Sequence, residues 1–410
     1  MNYGERLGRL RSLPLVDELL VDTAIKIQLS PTLHDRAVGH YEAIRRQIER
    51  AESPLNGWVE NFYPQGSMAI GSTIRSRDEN DLFDIDLVAE LSYPANGPGE
   101  ALDVLEEAIR GERGSRYYSS VERQTRCVTV YYADMHLDVT PLYRRYDWGE
   151  KAGVICHADP EKASHEHKTV PANPWGFANW FQQSTPADDW FRNMVLAKSY
   201  AMDRAFRADA ASAEPVPDHK DIFRKPMAVV ALQLTKRWVQ LNFDRRGGKG
   251  RRMPSVILSK SFAENAGQTT SLIDELLHQV QQLRALFLPA ITKHSLIDVR
   301  NPRLWDDHLT DRWPGDLQTQ RNFSDDLGIF MAELERAATA SSPAEIQKIL
   351  GRLFGETTVA SAVSEFYKRA GQAVSDGAGK VTRGAGVSVA GLSAATANAF
   401  TPPKHRFYGD

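Results

Sequence analysis

Cysteine is scarce: Cys127 and Cys156 are the only two in 410 residues, too few for a disulfide framework. No uninterrupted apolar stretch reaches the roughly 18 residues that would cross a bilayer; the nearest are short pieces such as residues 285–291. The start, Met1-Asn2-Tyr3-Gly4-Glu5-Arg6, lacks the apolar segment of a secretory signal. An excess of basic charge is missing as well, because 50 Lys and Arg stand against 53 Asp and Glu, a net of −3. The chain is therefore not built to coat nucleic acid, and any basic groove is local. These absences predict a cytoplasmic protein with no membrane partner.

Apolar residues make up 42% and charged residues 25% of the chain, the balance of an ordinary globular protein. At about 100–200 residues per domain the length suggests two or three domains, or a bilobal unit whose halves share a cleft. The first fifty residues read as helix, the second helix opening with Ser30 as cap and Pro31 at its first position. From Trp58 to Tyr143 the pattern turns to short strands around one helix near Glu100 to Arg110. The stretch from Tyr146 to Pro174 is rich in His, Pro and Asp without periodicity and reads as a long loop bordering an active site. After Trp175 the signal is helical, including a capping box at Ser342-Pro343-Ala344-Glu345. Beyond Gly371 the composition of Gly, Ala, Ser, Thr and Val predicts a flexible tail. The expected division is residues 1–55 as helices packing across the lobes, 56–172 as a mixed-sheet core, 173–371 as an all-α lobe, and 372–410 as tail.

In Asp84-Ile85-Asp86-Leu87 two carboxylates lie two residues apart on a strand, so both share one face while Ile85 and Leu87 enter the core. Adjacent carboxylates repel unless a cation sits between them, and a divalent metal supplies that charge. Asp138, in Met135-His136-Leu137-Asp138-Val139, alternates in the same way and on a neighbouring strand would complete a three-carboxylate site. Hard oxygen ligands suit magnesium, and two such ions activate an attacking hydroxyl and stabilise leaving pyrophosphate. Upstream, Gln65-Gly66-Ser67 follows a strand and opens a helical turn whose free amides can meet a triphosphate.

The run Gly66-Ser67, then Asp84-Ile85-Asp86, then Asp138 resembles the polymerase-β-like nucleotidyltransferases, specifically the bacterial relatives of cyclic GMP-AMP synthase called CD-NTases. Thr73-Ile74, Asn173-Pro174, Trp180-Phe181, the helix Gln233 to Trp238 and Pro254-Ser255 look like further landmarks, so the resemblance spans residues 1 to about 370. It implies an α+β, bilobal enzyme: a strand lobe holding two Mg2+ ions (with Mn2+ as substitute) on Asp84, Asp86 and Asp138, and a helical lobe holding phosphates and bases. Gln65, Gly66, Ser67, Lys236 and Ser255 map onto nucleotide-binding positions, with Lys236 and Ser255 gripping the donor triphosphate. Substrates would be ATP and other nucleoside triphosphates, and the product a cyclic di- or trinucleotide. That product would be sensed by a separate effector in the antiphage systems called CBASS. The end Arg406-Phe407-Tyr408-Gly409-Asp410 looks like tails that a regulatory partner conjugates, although it finishes in Asp410 rather than a small residue. The rival readings are a template-independent polymerase making linear RNA and an inactive nucleotide-sensing module.

Weaker signals have plainer readings. Cys156, His157, His165 and His167 lack paired zinc spacing. Arg245, Arg246, Lys249, Arg251 and Arg252 form a basic loop that is either a solvated connection or a contact for a phosphate-rich activator. Trp175, Phe177, Trp180, Phe181 and Trp190 recur at helical spacing, as core residues do. His136 shares a strand face with Asp138, but a metal-held hydroxyl does not require it as a base.

Overall fold

The structure, a computed structural model, describes residues 14–75, 82–187, 189–209, 225–267, 269–375, 379–382, 386–389 and 399–400. Helices α1 (Leu15–Ile27) and α2 (Pro31–Ile48) open it, separated by Gln28, Leu29 and Ser30. The Ser30 hydroxyl accepts the Leu33 amide at 3.3 Å, which satisfies one orphan donor of the first turn. The two helices serve different cores. Leu19, Leu20 and Ala24 of α1 are buried with the helical lobe, whereas Ala37, Ile44 and Ile48 of α2 are buried against the sheet.

Seven strands follow: β1 (Val59–Pro64), β2 (Phe83–Leu91), β3 (Val121–Arg123), β4 (Val128–Tyr131), β5 (Met135–Arg144), β6 (Gly153–His157) and β7 (Lys168–Ala172). They form one mixed sheet in the order β1-β2-β5-β4-β3, with β6 pairing β5 and β7. A single helical turn, α3 (Gly66–Ala69), joins β1 to β2, and α4 (Pro98–Arg110) follows β2. Ile85, Leu87, Leu137 and Val139 bury on one face of the sheet with Leu105 and Ile109 of α4. Their alternation with Asp86 and Asp138 leaves those carboxylates on the other face. Only β2 and β5 pair in parallel, which needs the long crossover through α4, β3 and β4.

The stretch expected to be a long loop after Tyr146 instead contains β6 and β7, paired antiparallel from Gly153 opposite Ala172 to His157 opposite Lys168. Each strand is five residues long, too short for alternation to stand out between the His, Asp and Pro residues of the connecting turn.

The second lobe contains α5 (Pro174–Ser184), α6 (Asp189–Asp209), α7 (Met227–Arg245), α8 (Ser255–Glu264), α9 (Leu272–Thr292), α10 (Leu317–Thr339), α11 (Pro343–Phe354) and α12 (Glu356–Ser375). Asn173 caps α5 by accepting the Gly176 amide at 2.8 Å, and Ser342 caps α11 through the Glu345 amide at 3.2 Å. α7 runs through the middle of this lobe, with Trp238 stacked on Phe330 at 4.3 Å between ring centres. One departure from an all-α lobe is the hairpin of β8 (Arg300–Asn301) and β9 (Leu304–His308). In the expected tail, β10 (Gly379–Thr382), β11 (Gly386–Val389) and β12 (Ala399–Phe400) pair as a small antiparallel sheet. Arg406 to Asp410 lie outside the described residues. Among the described residues no helix is long and apolar enough to cross a membrane.

Helix α1 carries three buried acids into the helical lobe. Asp17 accepts the Ile273 amide at 2.8 Å, near the start of α9. Glu18 pairs with Lys198 of α6, and Asp22 pairs with Lys198 at 3.0 Å and with Arg369 of α12. Removing one partner of a buried ionic cluster leaves unpaired charge, at a cost of about 3–5 kcal/mol. Asp22→Ala should lower unfolding stability by about that amount, read from the denaturation midpoint; an unchanged midpoint would mean that the cluster does not hold α12 to α1.

Candidate active site

The parallel register of β2 and β5 sets Asp84 beside His136 and Asp86 beside Asp138. Two carboxylates from two strands are therefore neighbours, with Asp84 two residues away on the same face. Asp84 is exposed, its carboxylate 3.8 Å from the His136 ring nitrogen Nδ1. Thr129 on β4 donates to Asp138 Oδ1 at 2.6 Å and fixes that side chain. Asp86 is the constrained member. Burial, together with the charges of Asp138 and Asp84, pushes its pKa up to about 7, against the opposing pull of Lys236.

The turn after β1 presses on this carboxylate. The Gln65 amide donates to the Asp86 carbonyl at 2.8 Å, and the Gln65 side chain donates to the Leu87 carbonyl and Thr140 hydroxyl at 3.3 and 3.1 Å. Gly66 has φ +54, and a Cβ there would lie 2.6 Å from Asp86 Oδ2, so both backbone and space demand glycine. Ser67 Oγ is 3.1 Å from Thr73 Oγ1.

From the helical lobe, Lys236 on α7 reaches the same place. Its ammonium donates to the Ser72 carbonyl at 2.9 Å, and Gln233, one turn earlier, donates to the Thr73 carbonyl at 3.0 Å. Burial and the charge of Arg252 pull the Lys236 pKa down to about 8, although Asp86 and Asp84 oppose this. A cavity of about 480 Å³ is lined by Ser67, Asp84, Asp86, Asp138, Lys236 and Ser255, with Gln240, Arg251 and Arg252 on its far side. A second cavity, of about 440 Å³, lies across Ser67, Asp86, Pro254 and Ser255, which line both. Ser255 begins α8, whose first amides are unpaired within the helix.

All eight site residues expected from the sequence line one or the other cavity: Gln65 and Gly66 the second alone, Asp84, Asp138 and Lys236 the first alone, and Ser67, Asp86 and Ser255 both. The basic loop divides. Arg245 donates to the Arg352 carbonyl and Arg246 pairs with Asp326, while Arg251 and Arg252 face the first cavity. Gln240 and Phe243 were not singled out from the sequence, yet their spacing from Lys236 along α7, like that of Gln233 in the landmark helix, is that of one helical face. Of the aromatic set, Phe177 lines the second cavity and Phe181 is buried. Trp175 packs edge-on against Tyr63 with Lys151 over its ring, and the Trp190 side chain lies outside the described residues. Cys156 is buried beside Ala101 and Leu102, His157 accepts from Arg126, and His167 contacts the Asp159 carbonyl, so these groups serve separate contacts.

Among the described residues no three His, Cys, Asp or Glu side chains are closed around one point. The carboxylates nevertheless fit a divalent cation chemically, since they are hard oxygen donors whose mutual repulsion a cation would relieve. Because Asp86 has a raised pKa in the fold, its stabilising contribution is present below its unfolded value of 3.8 and is lost as pH rises through about 7. Asp86→Asn should therefore raise the melting temperature at pH 8 in chelator, by about 2 °C or more, and remove the stabilisation that added divalent ion gives the wild type. A lower melting temperature in chelator would contradict this charge balance.

Residues 16–184 match the family described as the Second Messenger Oligonucleotide or Dinucleotide Synthetase domain. The chain is 38% identical over 376 residues to the cyclic dinucleotide synthase CdnG of Bradyrhizobium diazoefficiens, covering 91% of this chain and 88% of that one. It is 21% identical over 398 residues to the c-di-GMP synthase of Roseivirga ehrenbergii, covering 96% and 97%. The solved structure of the B. diazoefficiens CD-NTase CdnG in complex with GTP superposes with a TM-score of 0.74, at 38% identity, over 86% of this chain and 99% of that chain. CdnC of E. coli MS115-1, solved with ATP, shares the fold at a TM-score of 0.51 and 14% identity, over 83% of this chain and 97% of that chain. Enzymes of this family use divalent metal ions. With its mixed strand lobe, its helical second lobe and a relative this similar along nearly its whole length, the chain belongs to the bacterial CD-NTases, nucleotidyltransferases built on a polymerase-β-like core.

Proposed function

We propose that the enzyme joins two or three nucleoside triphosphates, GTP among them, into a cyclic oligonucleotide, working in the cytoplasm with two Mg2+ ions (or Mn2+) held by Asp84, Asp86 and Asp138. The observation that carries this reading is the register that sets Asp86 against Asp138 while Lys236 faces them from the other lobe. The metals would supply a polarised acceptor hydroxyl and charge relief for leaving pyrophosphate. Asp138, steadied by Thr129, would help to hold the ion that activates the acceptor hydroxyl. Gly66 lets the triphosphate approach the backbone, and Gln65 braces that turn from behind. Ser67 and the first turn of α8 at Ser255 offer donors to the phosphates. Lys236 gives up the Ser72 carbonyl for a phosphate oxygen, and Arg252 adds a second cation. The acceptor hydroxyl attacks the α-phosphorus, pyrophosphate leaves, and the linear product rebinds for a second transfer that closes the ring. Similarity to the cyclic dinucleotide synthase and to the GTP-bound relative supports both product class and substrate. We propose in addition a role in CBASS antiphage defence, with a separate effector sensing the product and a partner acting on the C-terminal residues, a reading that family membership supports.

The test is incubation of the protein with four labelled triphosphates and Mg2+, phosphatase treatment, and chromatography beside Asp86→Ala and Asp138→Ala. The wild type should yield short phosphatase-resistant products, reduced at least about 10³-fold in either variant. Long or phosphatase-sensitive products would favour a linear polymerase, and nucleotide binding without product a sensing module. Since Lys236 loses its proton near pH 8 in the free enzyme, KM for the triphosphate should climb above that pH in the wild type. In Lys236→Arg it should stay level, and Lys236→Ala should cost about 10–100-fold in kcat/KM. A flat wild-type profile would remove Lys236 from phosphate binding.

A further inference from the structure

One wall of the 440 Å³ cavity carries polar groups that phosphate binding leaves unused: Asp307 on β9, Asn301 on β8 and Arg126 in the β3–β4 turn. They come from three separate stretches of chain. Asp307 Oδ2 accepts the Asn173 amide at 3.1 Å and the Asn301 side-chain amide at 2.8 Å. Its other oxygen, Oδ1, has no hydrogen-bond partner among the described residues. Asn301 also donates to the Asn173 carbonyl at 3.0 Å, which fixes the orientation of the whole group. Arg126 donates through Nε to His157 at 2.9 Å and through Nη2 to Asp311, while Nη1 has no partner among the described residues. Around them the lining is apolar, with Ile155, Phe177, Val256 and Leu309. The cavity thus offers a space with one fixed carboxylate acceptor and one fixed guanidinium donor.

We infer that this wall selects guanine: the free Asp307 oxygen accepts from the N1–H and N2 amino edge, and Arg126 donates to O6 and N7. Guanine is the common base with two adjacent ring-edge donors next to two acceptors, and Arg on O6 and N7 is its usual partner. Adenine would set the lone pair of its N1 against the carboxylate, and a pyrimidine would leave one of the two half-buried groups unpaired. A site that leaves its own polar groups unpaired with the wrong ligand discriminates by about 10²-fold or more. The inference rests on the reading that this cavity holds a substrate base.

The experiment measures binding, by titration and thermal shift with Mg2+, of GTP, ITP and ATP to the full-length wild type and to Asp307→Asn. That substitution keeps one oxygen for Asn173 and Asn301 and turns the group facing the cavity from acceptor to donor. The wild type should prefer GTP over ATP by at least about 10-fold, with ITP, which lacks the N2 amino group, between them. In Asp307→Asn the GTP-to-ATP ratio should fall at least about 10-fold. An unchanged ratio in the variant, or a wild type that binds GTP and ITP equally, would overturn the assignment. The GTP and ITP comparison needs no variant, so it decides even if Asp307→Asn folds poorly. A wild type that binds with this order but makes no cyclic product would instead defeat the synthase reading and leave guanine selection standing.

Discussion

The site depends on a repulsion held in place by a sheet. Asp86 and Asp138 are neighbours because β2 and β5 pair in parallel at one register, and shifting that register by one residue would turn either aspartate into the core. The apolar partners Ile85, Leu87, Leu137 and Val139, all at most 1% exposed, are what forbid the shift. Hydrophobic burial on one face therefore sustains like-charge proximity on the other. The cost appears in the raised pKa of Asp86, and the opposite lobe answers it with Lys236, whose own charge is penalised by burial and by the neighbouring Arg252. Each side of the cleft is electrostatically unsatisfied alone, a state that favours binding something which carries both metal charge and phosphate charge.

Much of this is written locally. The alternation around Asp84, Asp86 and Asp138 identifies the inward and outward residues, and Ser30, Asn173 and Ser342 announce helix starts that the structure contains. Lys236 could be related to the carboxylates only by resemblance, since no periodicity links α7 to β2. The parts that escape are short or long-range. β6 and β7 are five residues each, and β8 is two, below the length at which a pattern separates from chance. The wall of Arg126, Asn301 and Asp307 is assembled from residues as much as 181 positions apart, the span from 126 to 307, and none of them sits in a motif. A basic loop reads as uniform, yet Arg245 and Arg246 are used to fasten α7 while Arg251 and Arg252 face the cavity; the distinction depends on where Asp326 and Arg352 fall in space.

The two cavities divide the labour that a single cleft must perform. One is polar and charged, and concentrates the carboxylates and cations to which the proposed function assigns the chemistry. The other is largely apolar, with a few oriented donors and acceptors, the usual build of a pocket that recognises a flat ligand. Ser67 and Ser255 belong to both, so whatever the second cavity holds lies directly beside the carboxylates of the first.

The path of the chain between the lobes sets how the cleft can move. It crosses from the helical core to the sheet at Gln28–Ser30 and returns at Asn173. The first crossing is three residues, a reach of about 10 Å at most. It is also pinned, because the Arg75 amide donates to the Ile27 carbonyl at 2.7 Å and the buried Lys225 holds the Gln28 side chain at 2.6 Å. Short crossings of this kind, with Ile70 and Ile74 of the β1–β2 connection also packed on the helical core, limit how far the two cores can separate. A catalyst that uses one cleft for successive steps gains from that limit, because halves so closely tied return to the same alignment each time.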